Sequence, residues 1–297
     1  TGANRGIGKS ILKVFAQNGA NIWACQRNPS SKFDKYKSQL EKEFSIKLFI
    51  RKHASGLELT NAGEKFALAS KNIINQSNDL YNIANNLTKN NVGNINLGCL
   101  TTLAPVIAPT LRKKYREIND KVNVTQLEGN QVDLIDCIIN GKIDLAITYN
   151  LSLPKNIFFI PLRSVPPHVL LSVNHKLAKE REIDLNQIKE EPLILLDLPL
   201  SREYFLSIFE KLNIKPFISE RTSQISVLRS LVAHEFGYSL ANLQLGISQS
   251  VDGLKIAQIP LKDYNDSLEL GLALADIDYM SSLTREFVDF AKSFFKN

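Results

Sequence analysis

Apolar residues fall in different rhythms along the chain, and the changes of rhythm divide it. From residue 92 onward, short apolar runs alternate with helical spacing. Asn94-Ile95-Asn96-Leu97-Gly98-Cys99 reads as a strand, and Thr101-Thr102 opens a helix that continues through Pro105, Ile107 and Leu111. Val122 to Leu127 is a second strand, ending in Glu128-Gly129-Asn130. Val132 to Ile139 is a helix closed by Gly141, and Ile143 to Ile147 is a third strand. Near the end, Leu268 to Leu274 is an apolar strand, and a helix from Thr284 to Phe295 is expected to bury Phe287, Val288, Ala291 and Phe294. Strands alternating with helices predict an α/β fold with right-handed crossovers.

Residues 61–90 keep a different period. They hold no Pro and no Gly after Gly63, and Phe66, Ile73, Leu80 and Leu87 recur every seven residues. Ala62, Ala69 and Ile83 complete the heptad, with Gln76 interrupting it. A seven-residue repeat draws one apolar seam along a long helix, and such a seam wants a partner helix. Asn85, Asn86, Asn90, Asn91 and then Gly93 mark a hinge at its end. Before this helix, Leu40, Phe44, Ile46, Leu48 and Phe49 are the apolar positions of a helix end running into a short strand. Gly56 suits a turn, and Thr60 is placed to cap the next helix.

Composition narrows the class. The 297 residues leave room for two domains, and 44% hydrophobic with 22% charged residues is the balance of a folded chain. No run of 18 apolar residues occurs, so no membrane partner is expected. No basic region followed by an apolar one opens the chain, so no signal peptide is expected. Cys25, Cys99 and Cys137 are scattered, as are the four histidines, without metal-ligand spacing. These features fit a reducing, cytoplasmic setting with no metal and no cofactor. Charge is uneven: residues 1–65 hold 12 Lys/Arg against 5 Asp/Glu, while the remainder is nearly neutral. A basic module beside a neutral one points to nucleic acid as a partner.

The first residues, TGANRGIG, are followed by helical spacing at Ile11, Val14 and Phe15, a stop at Gly19 and a short strand, Asn21 to Cys25. This stretch resembles the opening of short-chain dehydrogenases/reductases, whose TGxxxGIG motif binds NAD or NADP. The resemblance implies Gly2, Gly6 and Gly8 as a phosphate turn and Arg27 as a residue favouring the 2′-phosphate of NADP. The family's Tyr-x-x-x-Lys pair is absent, since none of the eight tyrosines has Lys four positions on. No later segment supplies the neighbouring strands that a dinucleotide crevice requires. An NAD(P)-dependent oxidoreductase is therefore the alternative reading, resting on residues 1–28 alone, and no catalytic residue is assigned.

From Leu40 the text changes. Leu40-Glu41, Leu48-Phe49, Arg51, Gly56, Leu59-Thr60 and Ala62-Gly63 resemble, at matching spacing, the second half of the winged helix-turn-helix of LysR-type transcriptional regulators. Ser45 stands where that family usually has Gly. The resemblance implies DNA-phosphate contacts by Arg51, Lys52 and His53. The base-reading half does not match: residues 30–39 lack the family's QP and Ser in register. The stretch from 61 to 90 resembles the family's dimerisation helix, implying a homodimer or homotetramer. VGNINLG and EGNQVDLIDCIINGKIDLAI resemble its effector-binding domain, a type 2 periplasmic-binding-protein fold of two subdomains.

The expected organisation is a chimera. Residues 1–44 are a dehydrogenase-like fragment, 45–63 the remnant of a winged helix-turn-helix, 64–91 the linker helix, and 92–297 the effector-binding domain. Within the last, 92–162 with 267–297 form one subdomain and 163–266 the other. Loops at strand ends and helix N-termini line such a cleft and suit small ligands. The candidate effector-binding residues are Thr101, Thr102, Asn130, Tyr149, His168, Ser201 and Gln224. The function implied is a regulator that senses a small molecule and binds promoter DNA; a ligand-binding module without DNA contact is a further alternative.

Overall fold

A computed structural model describes residues 31–52, 56–67, 69–70, 92–243, 248–264, 266–277 and 280–296. Gly2, Gly6, Gly8, Arg27, Cys25 and His53 lie outside these residues, as do positions 71–91 of the heptad stretch.

The first unit is small. Helix α1 (Ser31–Glu43) leads into a hairpin of β1 (Phe49–Lys52) and β2 (Gly56–Leu59), paired antiparallel from Phe49↔Leu59 to Lys52↔Gly56. Leu40, Leu48 and Phe49 form its core with Leu59 and Phe66 packed alongside. Glu41 ties the helix to the hairpin: its Oε1 accepts from the backbone N–H of Leu48 at 2.8 Å and of Phe49 at 3.0 Å. The turn after α1, where the dehydrogenase-like fragment was expected to end, thus joins two elements that pack together. Phe44 and Ile46, expected among the apolar positions, are exposed. Thr60 caps the next helical segment, its hydroxyl accepting from Gly63 N–H at 2.9 Å and donating to the Lys47 carbonyl at 2.7 Å. A Cβ on Gly63 would stand 2.1 Å from the Leu48 carbonyl oxygen, so no side chain fits where this helix crosses β1.

Ser45 sits in the left-handed region at φ 52°. Ile46 N–H reaches back to the Glu41 carbonyl at 3.2 Å, closing α1 in the manner of a Schellman turn. Such a position favours Gly, because a Cβ crowds the following carbonyl. Ser45→Gly should therefore stabilise this unit by about 0.5–1 kcal/mol. Slower amide hydrogen exchange at Leu48, Phe49 and Thr60 checks it; faster exchange would contradict the assigned turn.

The rest of the described chain builds two sheets. The first has order β4-β3-β5-β12-β6: β3 (Gly93–Leu100), β4 (Val122–Gly129), β5 (Leu145–Tyr149), β6 (Phe158–Val165) and β12 (Leu268–Leu274). β3 pairs parallel with β4 and β5, whereas β12 runs antiparallel between β5 and β6. Helices α2 (Ala104–Ile118), α3 (Gln131–Ile139) and α6 (Ser282–Lys296) cover it. The inner parallel strands β3 and β5 are largely buried on both faces, as a sheet covered by helices requires, whereas the edge strand β4 alternates buried Val122 and Val124 with exposed Asn123 and Thr125. Tyr115 of α2 is fully buried, its ring edge-on to Phe287 at 4.9 Å and Phe290 at 5.2 Å. Phe294, expected in this core, is half-buried at the rim, with Lys114 Nζ 5.2 Å from its ring centre.

The second sheet is made of β7 (His168–Ser172) between β10 (Ser239–Ala241) and β11 (Ile256–Pro260), plus the parallel pair of β8 (Pro192–Leu196) and β9 (Phe217–Thr222). A bridge between Leu193 and Tyr238, with Tyr238 N–H to Pro192 O at 2.9 Å and Ile194 N–H to Tyr238 O at 2.8 Å, joins β8 to β10. The continuous order is then β9-β8-β10-β7-β11, the same arrangement as the first sheet. Helices α4 (Ser201–Lys211) and α5 (Ile225–Ala233) pack on it. The chain passes between the two lobes twice, from β6 to β7 through Pro166-Pro167 and from β11 back to β12. Among the described residues no helix is long and apolar enough to cross a membrane.

Candidate effector site

Because the strands of both sheets end near the two crossings, loops from both lobes converge there. They enclose a cavity of about 50 Å³, several times the 10–15 Å³ or so that one water needs on the same measure. The first lobe contributes Thr102, Tyr149, Leu151 and Leu268. From the second come Ser201, Tyr204 and Phe205 of α4, Ile225 and Arg229 of α5, and the end of β10.

Of the seven expected residues, Thr102, Tyr149 and Ser201 line this cavity. Thr101 and Thr102 do not stand at a helix N-terminus as expected. They occupy the turn between β3 and α2, which starts at Ala104. Thr101 N–H is already used, donating to the Gly129 carbonyl at 3.0 Å. Asn130 caps α3 instead of facing the cavity: its Oδ1 accepts from Asp133 N–H at 3.0 Å. Its neighbour Gln131 is buried, accepts from the Thr148 hydroxyl at 3.1 Å and donates to the Leu151 carbonyl, which holds the Leu151 loop against the cavity. Gln224 is the exposed N-cap residue of α5, one position before the wall residue Ile225. His168 is buried at the start of β7, between Ala241 and Pro260, and lies outside the wall. Burial, helped by the nearby positive charge of Arg229, pushes its pKa down to about 4, so it is a neutral ring at ordinary pH.

Ser201 owes its position to an unusual turn. Leu200 takes a left-handed conformation at φ 66° with no side-chain cap, and Tyr204 N–H closes the first turn of α4 on its carbonyl at 3.0 Å. Tyr149 ends β5 rather than following it, and burial raises its hydroxyl pKa far above the usual value.

Three polar wall residues were not foreseen: Asn242, Tyr204 and Arg229. Asn242 is buried and donates to the Val165 carbonyl at 3.0 Å and to Tyr204 Oη at 2.9 Å. It links the end of β6, just before the crossing, to α4 of the second lobe. Tyr204 is held by burial at a pKa of about 12 and remains a protonated donor. Arg229 is only 6% exposed, and its Nη2 donates to the Gln249 carbonyl at 3.0 Å. A charged residue on the otherwise apolar face of ISVLRSLVA was the available signal. Among the described residues no group of three or more His, Cys, Asp or Glu could hold a metal. Cys99 is fully buried, and burial pushes its thiol up to about 12, which leaves it unreactive.

Two covered sheets of matching strand order, crossed twice by the chain and enclosing a small cavity, define a two-lobed small-molecule-binding module. A family model described as the LysR substrate binding domain matches residues 88–296. The chain belongs to the LysR family and is a transcriptional regulator with an effector-binding domain. It is 25% identical over 256 residues to the HTH-type transcriptional activator CmpR of Synechocystis sp., covering 82% of this chain and 83% of that one. Among solved structures it is similar to HinK of Pseudomonas aeruginosa, with 26% identity, a TM-score of 0.66 and 97% of each chain covered. It is also similar to the effector binding domain of QuiR in complex with shikimate, with 25% identity and a TM-score of 0.61. That match covers 69% of this chain and 98% of the other.

Proposed function

We propose that the cavity between the lobes is the effector site of this regulator. The observation that carries this reading is that both lobes supply its walls, next to both chain crossings, with Asn242 spanning them. A ligand touching both walls stabilises one relation of the lobes over others, and it can shift that equilibrium only by its differential affinity. Thr102, Tyr149, Ser201, Tyr204, Arg229 and Asn242 are the residues that meet it. Thr101 and Gln224 are each one position from a wall residue, Asn130 caps the helix that begins at Gln131, and His168 is strand-paired with the wall residue Ala241. The effector domain divides near 92–162 with 267–297 and 163–266, and its lobes move about the two crossings.

In the same reading, Arg51 and Lys52 of β1, with His53 next in sequence, meet DNA phosphates, and residues 64–91 pair two or four copies in the cytoplasm. The hairpin that carries Arg51 and Lys52, the excess of basic residues before position 66 and the family membership support this. The dehydrogenase-like sequence at residues 1–28 takes no part.

A mobility-shift titration against the gene's own upstream DNA tests the DNA half. The expected result is a retarded complex whose affinity falls steeply and log-linearly with salt, as counterion release requires. Absence of salt-sensitive binding would leave a ligand-binding module without DNA contact.

A further inference from the structure

We infer that α4 is the strut that sets the relation of the two lobes: it is fastened to both chain crossings, through Tyr204 and Asn242 at the first and through Lys211 and Asp266 at the second. The functional consequence rests on the cavity being the effector site. Ser201, Tyr204 and Phe205, near the start of α4, line it, so an occupant pressing there acts on both crossings at once.

Helix spacing puts both fastenings on one face. Tyr204 and Lys211 are seven residues apart, about 20° short of two full turns and about 10 Å along the axis. The adjoining face, Phe205, Ile208 and Phe209, is buried in the core of the second lobe, so the helix moves with that lobe. Tyr204 reaches the other one. Among the described residues it is the one partly buried hydrophobic side chain that packs against the cores of both lobes.

The first fastening is buried. Asn242 is only 5% exposed, and its Nδ2 donates both to the carbonyl of Val165, the last residue of β6, and to Tyr204 Oη. A side-chain amide has two N–H hydrogens, and these two acceptors use both. Losing either acceptor leaves a buried donor unmet. The second fastening lies at the surface. Lys211 Nζ meets Asp266 Oδ2 at 2.7 Å, in the segment between β11 and β12, with both side chains more than half exposed. It is therefore the weaker of the two and is screened by salt. The crossings also touch directly: the hydroxyls of Ser164 and Ser267 are 2.5 Å apart, and Val165 pairs with Leu268.

Amide hydrogen exchange of the ligand-free full chain tests this. Pro166 and Pro167 carry no N–H, so Val165 and His168 report on the first crossing. Lys262, whose N–H donates to the Ile183 carbonyl at 2.8 Å, reports on the second. Tyr204→Phe keeps the ring and removes the oxygen that Asn242 holds. It should speed exchange roughly tenfold at both crossings. Lys211→Met should speed it roughly threefold, again at both. Ser164→Ala cuts a direct tie and leaves α4 fastened, so it should speed exchange near Val165 and leave Lys262 unchanged. Circular dichroism confirms that each variant folds, and Lys211→Met, at the surface, keeps the test open if Tyr204→Phe does not. If Tyr204→Phe leaves Lys262 unchanged, or Lys211→Met leaves Val165 unchanged, the contacts are local and the inference falls. It falls too if Ser164→Ala loosens Lys262 as much as Tyr204→Phe does, because the coupling then runs through the strands. No ligand is involved, so a failure here leaves the cavity reading standing, and a failure of that reading leaves the strut.

Discussion

Stability of the effector domain should fall by about 3 kcal/mol as the pH drops from 6.5 toward 4, because His168 must take up a proton in a place that rejects one. Desolvation is the main cause, and the Arg229 charge adds to it. Hydrogen bonding to the Pro166 carbonyl and to Gln258 opposes them without cancelling. The sign follows from linkage. The folded pKa is depressed, so between about 4 and 6.5 the unfolded chain binds the proton and the folded chain does not. The contribution is complete above pH 6.5 and is lost as pH falls through this window. Urea unfolding at pH 7 and pH 4.5 measures it. His168→Gln should remove most of the difference between the two pH values, because Gln does not titrate. An equal loss of stability in wild type and His168→Gln would assign the acid sensitivity to other groups. The position gives the effect a functional edge: His168 lies between Ala241 and Pro260 at the first crossing, and Ala241 lines the cavity.

The second large effect is expected from Tyr115, at the centre of the first lobe. Tyr115→Ala should destabilise that lobe by about 3–5 kcal/mol, the range for removing a large buried aromatic ring. The ring is fully buried and is the contact through which α2 meets Phe287 and Phe290 of α6. Tyr115→Phe separates packing from polarity. The hydroxyl is buried with no hydrogen-bond partner among the described residues. Burial holds its pKa at about 12. Removing it should therefore be neutral or stabilising. Denaturant midpoints of the two variants check both, and a Tyr115→Phe loss as large as that of Tyr115→Ala would mean the hydroxyl has a partner.

Much of the architecture was legible because it is written in local periods. The runs at Ile95, Leu97 and Cys99 and at Leu145 and Ile147 are strands buried on both faces, and Gly141 ends α3 in a left-handed turn at φ 65°. Thr60 caps its helix as its spacing implied, and Ser45, the departure from the family's glycine, holds the strained turn that glycine would relax. The site was less legible because it is assembled across long separations. Thr102, Ser201 and Arg229 meet only after the chain has crossed between lobes, and no local period signals that. Asn130 is a good cap residue that capping satisfies locally, whereas Gln224 stands at the start of α5 with its side chain exposed and making no cap bond. His168 is polar and next to a crossing, yet its strand carries it into the second sheet. The Thr101-Thr102 register missed because the chain makes one more turn before α2 begins.

The measurement that bears most directly on the central claim is ligand-dependent DNA mobility, in wild type and in the cavity-filling variant Ala241→Phe. A ligand found by thermal-shift screening should change the wild-type complex with upstream DNA. The Ala241→Phe protein should still retard that DNA and ignore the ligand. An identical response of both proteins would place the effector elsewhere and contradict the assignment of the cavity between the lobes.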